Sequence, residues 1–300
     1  MGAALVEELA LAAPNSSVVA IDIEPATSSF SSVISLKFDL NPLNYVGGFH
    51  VWSRELHALL ESMTEGSTTQ VPVPGVFLGV ARYHVGRYEL SSTTDRANIL
   101  GPNILGKWEV LHAVMRVNAI RGFDNAEVLG IFDVGSLHSL RHTSHRALYN
   151  PTKAASLAMC KVLSSGSEVR RAIHLAPGCV DTPMLHWNHW FLKEQGDPEL
   201  PDLVRRKLPL LYRSIFREGD VQALANALSE LGIEDPSISI IFDRYLNRRK
   251  MVAETEEGLT SPESLAQYIA SIMLQESSDE SGIVEVTSPR GSLRFLRIPF

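Results

Sequence analysis

The stretch GIFDVGS (130–136), followed by YNPTKAA (149–155) and HLAPGCVDTPM (174–184), decides how this chain is read. The first is a β-branched and aromatic run that ends in a glycine and Ser136. The second opens a helical pattern with Tyr149 and Lys153. The third is another apolar run that breaks at Pro177-Gly178. Strand–turn, helix, strand–turn is the rhythm of a β-α-β unit, in which parallel strands need a helical crossover.

Outward from this unit the rhythm repeats. Leu5, Leu9 and Ala12 recur at helical spacing over Ala3 to Ala13, and Pro14-Asn15 stop that helix. SVVAIDI (17–23) and VISLKFDL (33–40) read as strands buried on both faces, as in a parallel sheet under helices. A helix is expected over 44–64, a strand over 71–80 with Pro72 and Pro74 blurring its start, and a helix over 103–117. Further expected elements are a strand at 127–134, a helix at 149–163, a strand at 171–175, a helix at 262–275 and a strand at 283–286. The sum is an α/β, Rossmann-like, doubly wound parallel sheet in one domain over 1–300. Its least regular part, 184–258, reads as an insertion over the site.

Residues four apart on a helix share a face, so Tyr149 and Lys153 bring a phenol beside an ammonium. The positive charge favours phenolate and is expected to lower the phenol pKa from its ordinary ~10 toward a general acid/base range. Ser136 ends the preceding strand and offers a hydroxyl to hold a substrate oxygen. A Tyr-x-x-x-Lys pair alone fits an ordinary surface pair as well. The ordered set of Ser, Tyr-x-x-x-[Ser/Thr]-Lys and Pro-Gly-x-x-x-Thr is more specific. By that set the chain resembles the short-chain dehydrogenase/reductase family, from Gly2 to about residue 184 and again from near residue 262. The C-terminal ESGIVEVTSPRGSLRF (280–295) is similar to the 15-hydroxyprostaglandin dehydrogenase-like branch.

The resemblance implies an NAD(P)-dependent oxidoreductase that interconverts a secondary alcohol and a ketone. Tyr149 would carry the proton, Ser136 would position the substrate oxygen, and Lys153 would hold the nicotinamide ribose. Asn103, in LGPNILGKW, would complete a proton relay, although a cap or loop role fits it too. Pro177, Gly178, Val180 and Thr182 match the loop beside the nicotinamide, and Asp39 the aspartate beside the adenine. Asp22 ends the second strand of the family pattern. A carboxylate there accepts ribose hydrogen bonds and repels a 2′-phosphate, favouring NAD over NADP; a turn-starting aspartate is the alternative. The expected substrate is a small hydrophobic alcohol or ketone, in view of Trp187, Trp190, Phe191, Tyr212 and Phe216, although packing within the insertion fits these aromatics too. The expected assembly is a dimer or tetramer.

Two family features are missing. Of the glycine-rich turn that approaches the pyrophosphate, Gly2 alone remains in MGAALVEELA, and the strand that should precede it is absent. The Asn-Asn-Ala-Gly motif is absent too, HVG at 84–86 being the nearest candidate. A cofactor-poor enzyme, a non-catalytic protein of the same fold, and a true start lying upstream therefore stay open.

Composition excludes other classes. Apolar residues make up 45% and charged residues 20%, and the net charge is −7 without a like-charged block, so nucleic acid and anionic membrane are not expected partners. No apolar run is long enough to span a bilayer. Glu7 and Glu8 interrupt the only signal-like stretch, and Val6 spoils a myristoylation match. The two cysteines imply no disulfide framework. The expected location is cytoplasmic. His138, His142 and His145 lie where the family lines its substrate pocket, and no metal is expected among them.

Overall fold

The computed structural model describes residues 2–22, 28, 30–46, 48–65, 71–83, 91–141, 146–182, 254–255, 258–275, 280–288 and 294–300. Two compact units divide the chain. One comprises Met1–Pro177, Glu263–Val286 and Phe295–Phe300; the other comprises Gly178–Pro262 and Thr287–Arg294. The expected insertion belongs to the second unit, and its residues 184–253 lie outside the described residues.

In the first unit, β3 (Gly75–Leu78), β4 (Gly130–Val134), β5 (Arg171–Pro177) and β8 (Gly282–Thr287) pair in parallel in that order, and β9 (Arg294–Pro299) follows β8. A separate parallel pair is formed by β1 (Val18–Asp22) and β2 (Val33–Lys37), with Val18 opposite Val33. Helices α2 (Gly48–Glu65), α4 (Lys107–Ile120) and α6 (Tyr149–Ser165) cover one face of the larger sheet. There Leu78, Ile131, Leu111, Val114, Cys160 and Ala172 form one buried cluster. Strand β4 alternates as a pleated strand must. Ile131 faces these helices, while Phe132 lies on the other side, under the Arg171 guanidinium at 4.9 Å. Arg171 is itself buried and donates to the carbonyls of Ile272 (2.8 Å) and Met273 (3.1 Å). It thereby caps the C-terminal end of α7 (Pro262–Leu274), where a cation also meets the negative end of the helix dipole.

Departures from the expected boundaries have local causes. Strand β3 begins only at Gly75, because Pro72 and Pro74 have no N–H to give. Val73 between them bonds instead to the Asn118 side chain, donating at 2.8 Å and accepting at 3.1 Å. Residues 125–128 are helical, α5 (Asn125–Val128), since the Asp124 carboxylate caps the Ala126 N–H at 2.9 Å. Helix α3 (Thr93–Leu100) starts ten residues before the expected Asn103, behind a capping box made by Ser92 and Asp95. Between α3 and α4, Gly101–Gly106 winds as a π-helical turn. A Cβ at Gly106 would sit 2.2 Å from the Leu40 carbonyl oxygen, so glycine admits that close approach.

In the second unit, β6 (Cys179–Val180) pairs in parallel with β7 (Leu259–Thr260). Among the described residues, no helix is long and apolar enough to cross a membrane.

Candidate active site

The serine is placed by the way β4 ends. Gly135 N–H continues the pairing with β5 by donating to the Leu175 carbonyl at 2.7 Å, and the chain then turns into a single 3-10 turn over Leu137–Ser139. Ser136 N–H donates to Ser139 Oγ (3.2 Å), and Ser136 Oγ accepts from the His138 N–H (3.2 Å). A Cβ on Gly135 would lie 2.0 Å from His174 Nε2, so a glycine is needed where the serine leaves the strand. Helix α6 then opens with Tyr149, and Tyr149, Asn150, Thr152 and Lys153 are all buried. The Ser136 hydroxyl lies close enough to the Tyr149 phenol to favour its ionised form. One turn further, Lys153 Nζ lies 5.5 Å from the centre of the Tyr149 ring and donates to the Val134 carbonyl at 2.8 Å. Ser136, Tyr149 and Lys153 thus converge at the C-terminal end of β4. The Tyr83 ring meets Tyr149 edge-on at 4.6 Å.

Asn103 sits within the π turn, a distortion often found at functional sites. Its amide donates to the Arg82 carbonyl (2.8 Å) and to Thr152 Oγ1 (3.1 Å), and its Oδ1 accepts from Arg82 N–H (2.6 Å). Thr152 in turn donates to the Tyr149 carbonyl at 2.8 Å. Asn103 therefore ties the segment after β3 to the first turn of α6, one hydroxyl away from the tyrosine's backbone.

Beneath these residues lies a buried charge cluster that the sequence reading did not single out. Lys107 Nζ donates to Asp133 Oδ1 at 2.6 Å and to the Val134 carbonyl at 3.1 Å. His174 Nδ1 lies 2.8 Å from Asp133 Oδ2, close in distance though poorly aligned for a hydrogen bond, and its Nε2 is 2.9 Å from Ser139 Oγ. The chain Lys107–Asp133–His174–Ser139 so reaches the backbone of Ser136. Its signal was present in the sequence: an aspartate inside GIFDV, a histidine inside AIHLA and a lysine following NILG each interrupt an apolar run.

Burial would raise the Asp133 carboxyl, but the Lys107 ammonium and His174 outweigh it and hold that group well below the usual carboxylate range. Burial lowers Lys107 against the pull of Asp133. Burial likewise brings Lys153 down to about 8, with Asp133 opposing. Tyr149 departs from expectation. Burial pushes its phenol up to about 12, and the nearby Ser136 hydroxyl and the charges of Lys107 and Arg146 offset only part of that. The Lys153 ammonium, aimed at the Val134 carbonyl, does not draw the phenol down.

The residues expected to meet a dinucleotide are more scattered. Gly2 begins α1 (Gly2–Ala12), and a Cβ there would meet nothing within 4 Å. Asp22 ends β1 and is exposed. The Asp39 carboxylate closes a turn, accepting from Asn41 N–H (2.9 Å) and the Asn44 amide (3.4 Å). Pro177 ends β5 in the first unit, opposite Val286. Gly178, Val180 and Thr182 belong to the second unit, where Val180 pairs with Thr260 and its carbonyl accepts from Thr182 Oγ1 at 3.3 Å. The HVG at 84–86, His142, His145 and the aromatic residues from Trp187 to Phe216 lie outside the described residues.

Solved structures share this architecture. A short chain dehydrogenase family protein from Francisella tularensis superposes with a TM-score of 0.59 at 16% identity, over 94% of this chain and 91% of that chain. A 3-ketoacyl-(acyl-carrier-protein) reductase from Brucella melitensis, complexed with NADH, gives 0.59 at 16% over 96% and 93%. The chain has the fold of the short-chain dehydrogenases. An aldohexose dehydrogenase from Thermoplasma acidophilum, in ligand-free form, gives 0.55 at 15% over 94% and 88%. No protein-family model matches the sequence, and no curated protein sequence does.

Proposed function

We propose that this chain is an NAD(P)-dependent oxidoreductase that interconverts a secondary alcohol and a ketone. The observation that carries this is the convergence of Ser136, at the turn after β4, with buried Tyr149 and with Lys153, whose Nζ lies 5.5 Å from the centre of the Tyr149 ring. A nicotinamide cofactor supplies the hydride when bound. The residues fit such a group at one point in particular. Lys153 is fully buried yet uses one of its three donors on Val134, among the described residues, which leaves N–H groups for ribose hydroxyls.

Tyr149 gives its proton to the ketone oxygen in reduction and takes it back in oxidation, and Ser136 holds that oxygen beside the phenol. Asn103 and Thr152 fix the first turn of α6, so that the phenol keeps its place. Asp22 favours NAD over NADP by accepting from the adenosine ribose. The substrate is a small hydrophobic alcohol or ketone, of the kind that the resemblance of residues 280–295 to the 15-hydroxyprostaglandin dehydrogenase-like branch implies. The working form is a homodimer or homotetramer.

The test is turnover of hydrophobic secondary alcohols and ketones with NAD(H) and NADP(H), by the full chain and by Tyr149→Phe. Removing a positioned acid/base should lower kcat about 10²–10⁴-fold. Equal activity in the two chains would end this reading.

A second reading, a non-catalytic protein of the same fold, is favoured by one observation. Among the described residues no backbone ladder joins β1 to β3, so Asp22 and the Ser136–Tyr149–Lys153 cluster stand on separate sheets. Calorimetric binding of dinucleotide without any Tyr149-dependent turnover would support it.

A further inference from the structure

Helices α2 and α4 pack side by side on the sheet, and three metal-ligating side chains meet where they do. Glu109 and His112 are three residues apart on α4 and share a face. His57 reaches them from α2, its Nε2 lying 3.0 Å from Glu109 Oε1, and His112 Nδ1 lies 3.8 Å from the same oxygen. The two imidazoles meet edge-on with centres 5.2 Å apart. One donor atom from each residue falls within 4.8 Å of the other two. Ser53, one turn before His57, also donates to Glu109 Oε1.

We propose that His57, Glu109 and His112 form a binding site for a divalent transition ion, Zn²⁺ foremost, that clamps α2 to α4. Two imidazole nitrogens and one carboxylate oxygen are the donor set that borderline ions take from proteins. Metal–ligand bonds of ~2.0–2.2 Å in a tetrahedron set the donors about 3.3 Å apart. The observed 3.0 and 3.8 Å straddle that spacing, and the two imidazole donors lie within 4.8 Å of each other. The cluster reaches solvent at one ligand, for the His112 side chain is 66% exposed while those of His57 and Glu109 are 11% and 14% exposed. An ion pair needs only His57 and Glu109; the third donor and the orienting Ser53 are what a metal site adds. Burial would raise the Glu109 carboxyl, but Ser53 and the His57 contact outweigh it, so the group is anionic and ready to ligate.

A second cluster of suitable side chains among the described residues, Asp133, Cys160 and His174, lacks this character. The Lys107 ammonium sits on Asp133 at 2.6 Å, and burial keeps the Cys160 thiol protonated.

The full chain, stripped with a chelator, is titrated with ZnCl₂ by calorimetry and with Co²⁺ by visible absorption. One equivalent should bind, with Co²⁺ acquiring the intense bands of low coordination, and Zn²⁺ should raise the thermal midpoint. His112→Ala, at an exposed position that does not threaten folding, should weaken binding by at least about tenfold. Glu109→Gln and His57→Ala should do the same, whereas His50→Ala, an exposed histidine of α2 outside the cluster, should leave it unchanged. Absence of binding, or equal loss in His50→Ala and His112→Ala, would overturn the proposal.

Discussion

Substituting Asp133 by asparagine keeps the shape of the side chain and removes its charge. Asp133 and Lys107 are both fully buried and 2.6 Å apart, and Lys153 places a second ammonium in the same cluster. In Asp133→Asn the two cations lose their only buried counter-charge among the described residues. Breaking a buried pair in this way costs about 3–5 kcal/mol. The structure sets its own ceiling, because Lys107 can escape by losing its proton. From an ordinary 10.5 down to pH 7, at ~1.4 kcal/mol per unit, that escape costs at most about 5 kcal/mol. The two figures agree, and either is a large part of a stability of ~5–15 kcal/mol.

Urea unfolding at pH 7 measures the loss as a shift of midpoint at constant slope. The companion variant Lys107→Met/Asp133→Asn removes both charges and should recover most of the loss, since replacing a buried pair by apolar groups is often neutral. Raising the pH to 9.5 should shrink the single variant's deficit, because deprotonating Lys107 becomes cheaper. A deficit below about 1 kcal/mol at pH 7, or a double variant as unstable as the single one, would refute the view that Asp133 is held as the counter-charge of two buried ammoniums.

Other outcomes follow from the same geometry. Lys153 stands at about 8 when folded against 10.5 ordinarily, so between those values the unfolded chain holds a proton that the folded chain has released; wild-type stability should rise from pH 8 to 9.5, and Lys153→Met should flatten that rise. Gly135→Ala drives a methyl to within 2.0 Å of the His174 ring and should lower the urea midpoint by about 1–3 kcal/mol equivalent, whereas Gly122→Asn, at a left-handed position with open space around it, should not. If a dinucleotide binds, Asp22→Ala should narrow the ratio of NAD to NADP affinity by about tenfold, read by calorimetry with both cofactors; an unchanged ratio would assign Asp22 to the turn alone.

The placement of Ser136, Tyr149 and Lys153 in the candidate site was legible because its signals are local. A β-branched run ending in Gly-Ser, a four-residue spacing on a helix and a Pro-Gly break each act within a few residues, and α6, β5 and the C-terminal end of β4 formed where those patterns put them. Boundaries failed where a side chain far along the chain supplied the missing bond, as Asn118 does for Val73. The Tyr149 pKa failed for a different reason. Spacing brings Lys153 near the phenol, but burial depth and the competing Val134 carbonyl are tertiary facts, and they decide the sign. The network Lys107–Asp133–His174 was visible only as three polar interruptions in separate apolar runs, and nothing local in the sequence pairs them.

How the two sheets of the first unit are held together bears on both functional readings. Among the described residues β1–β2 and the larger sheet share no ladder, and side-chain packing beside α2 joins them instead. Trp52, fully buried, donates its indole N–H to the Asp39 carbonyl at 2.8 Å, while its cluster takes in Ile21 from β1 and Val80 just beyond β3. The residues proposed to handle the proton therefore stand on a sheet bound by backbone hydrogen bonds. Asp22, proposed to select the nucleotide, stands on a separate pair of strands that is held by packing against helices. Apolar packing is less directional than a ladder and fixes register less tightly. Loss of packing at Trp52 should thus disturb cofactor choice and affinity before it disturbs the Ser136–Tyr149 contact. In this chain the two halves of the proposed reaction are separable, and the helix that joins them is the one His57 would tie to α4.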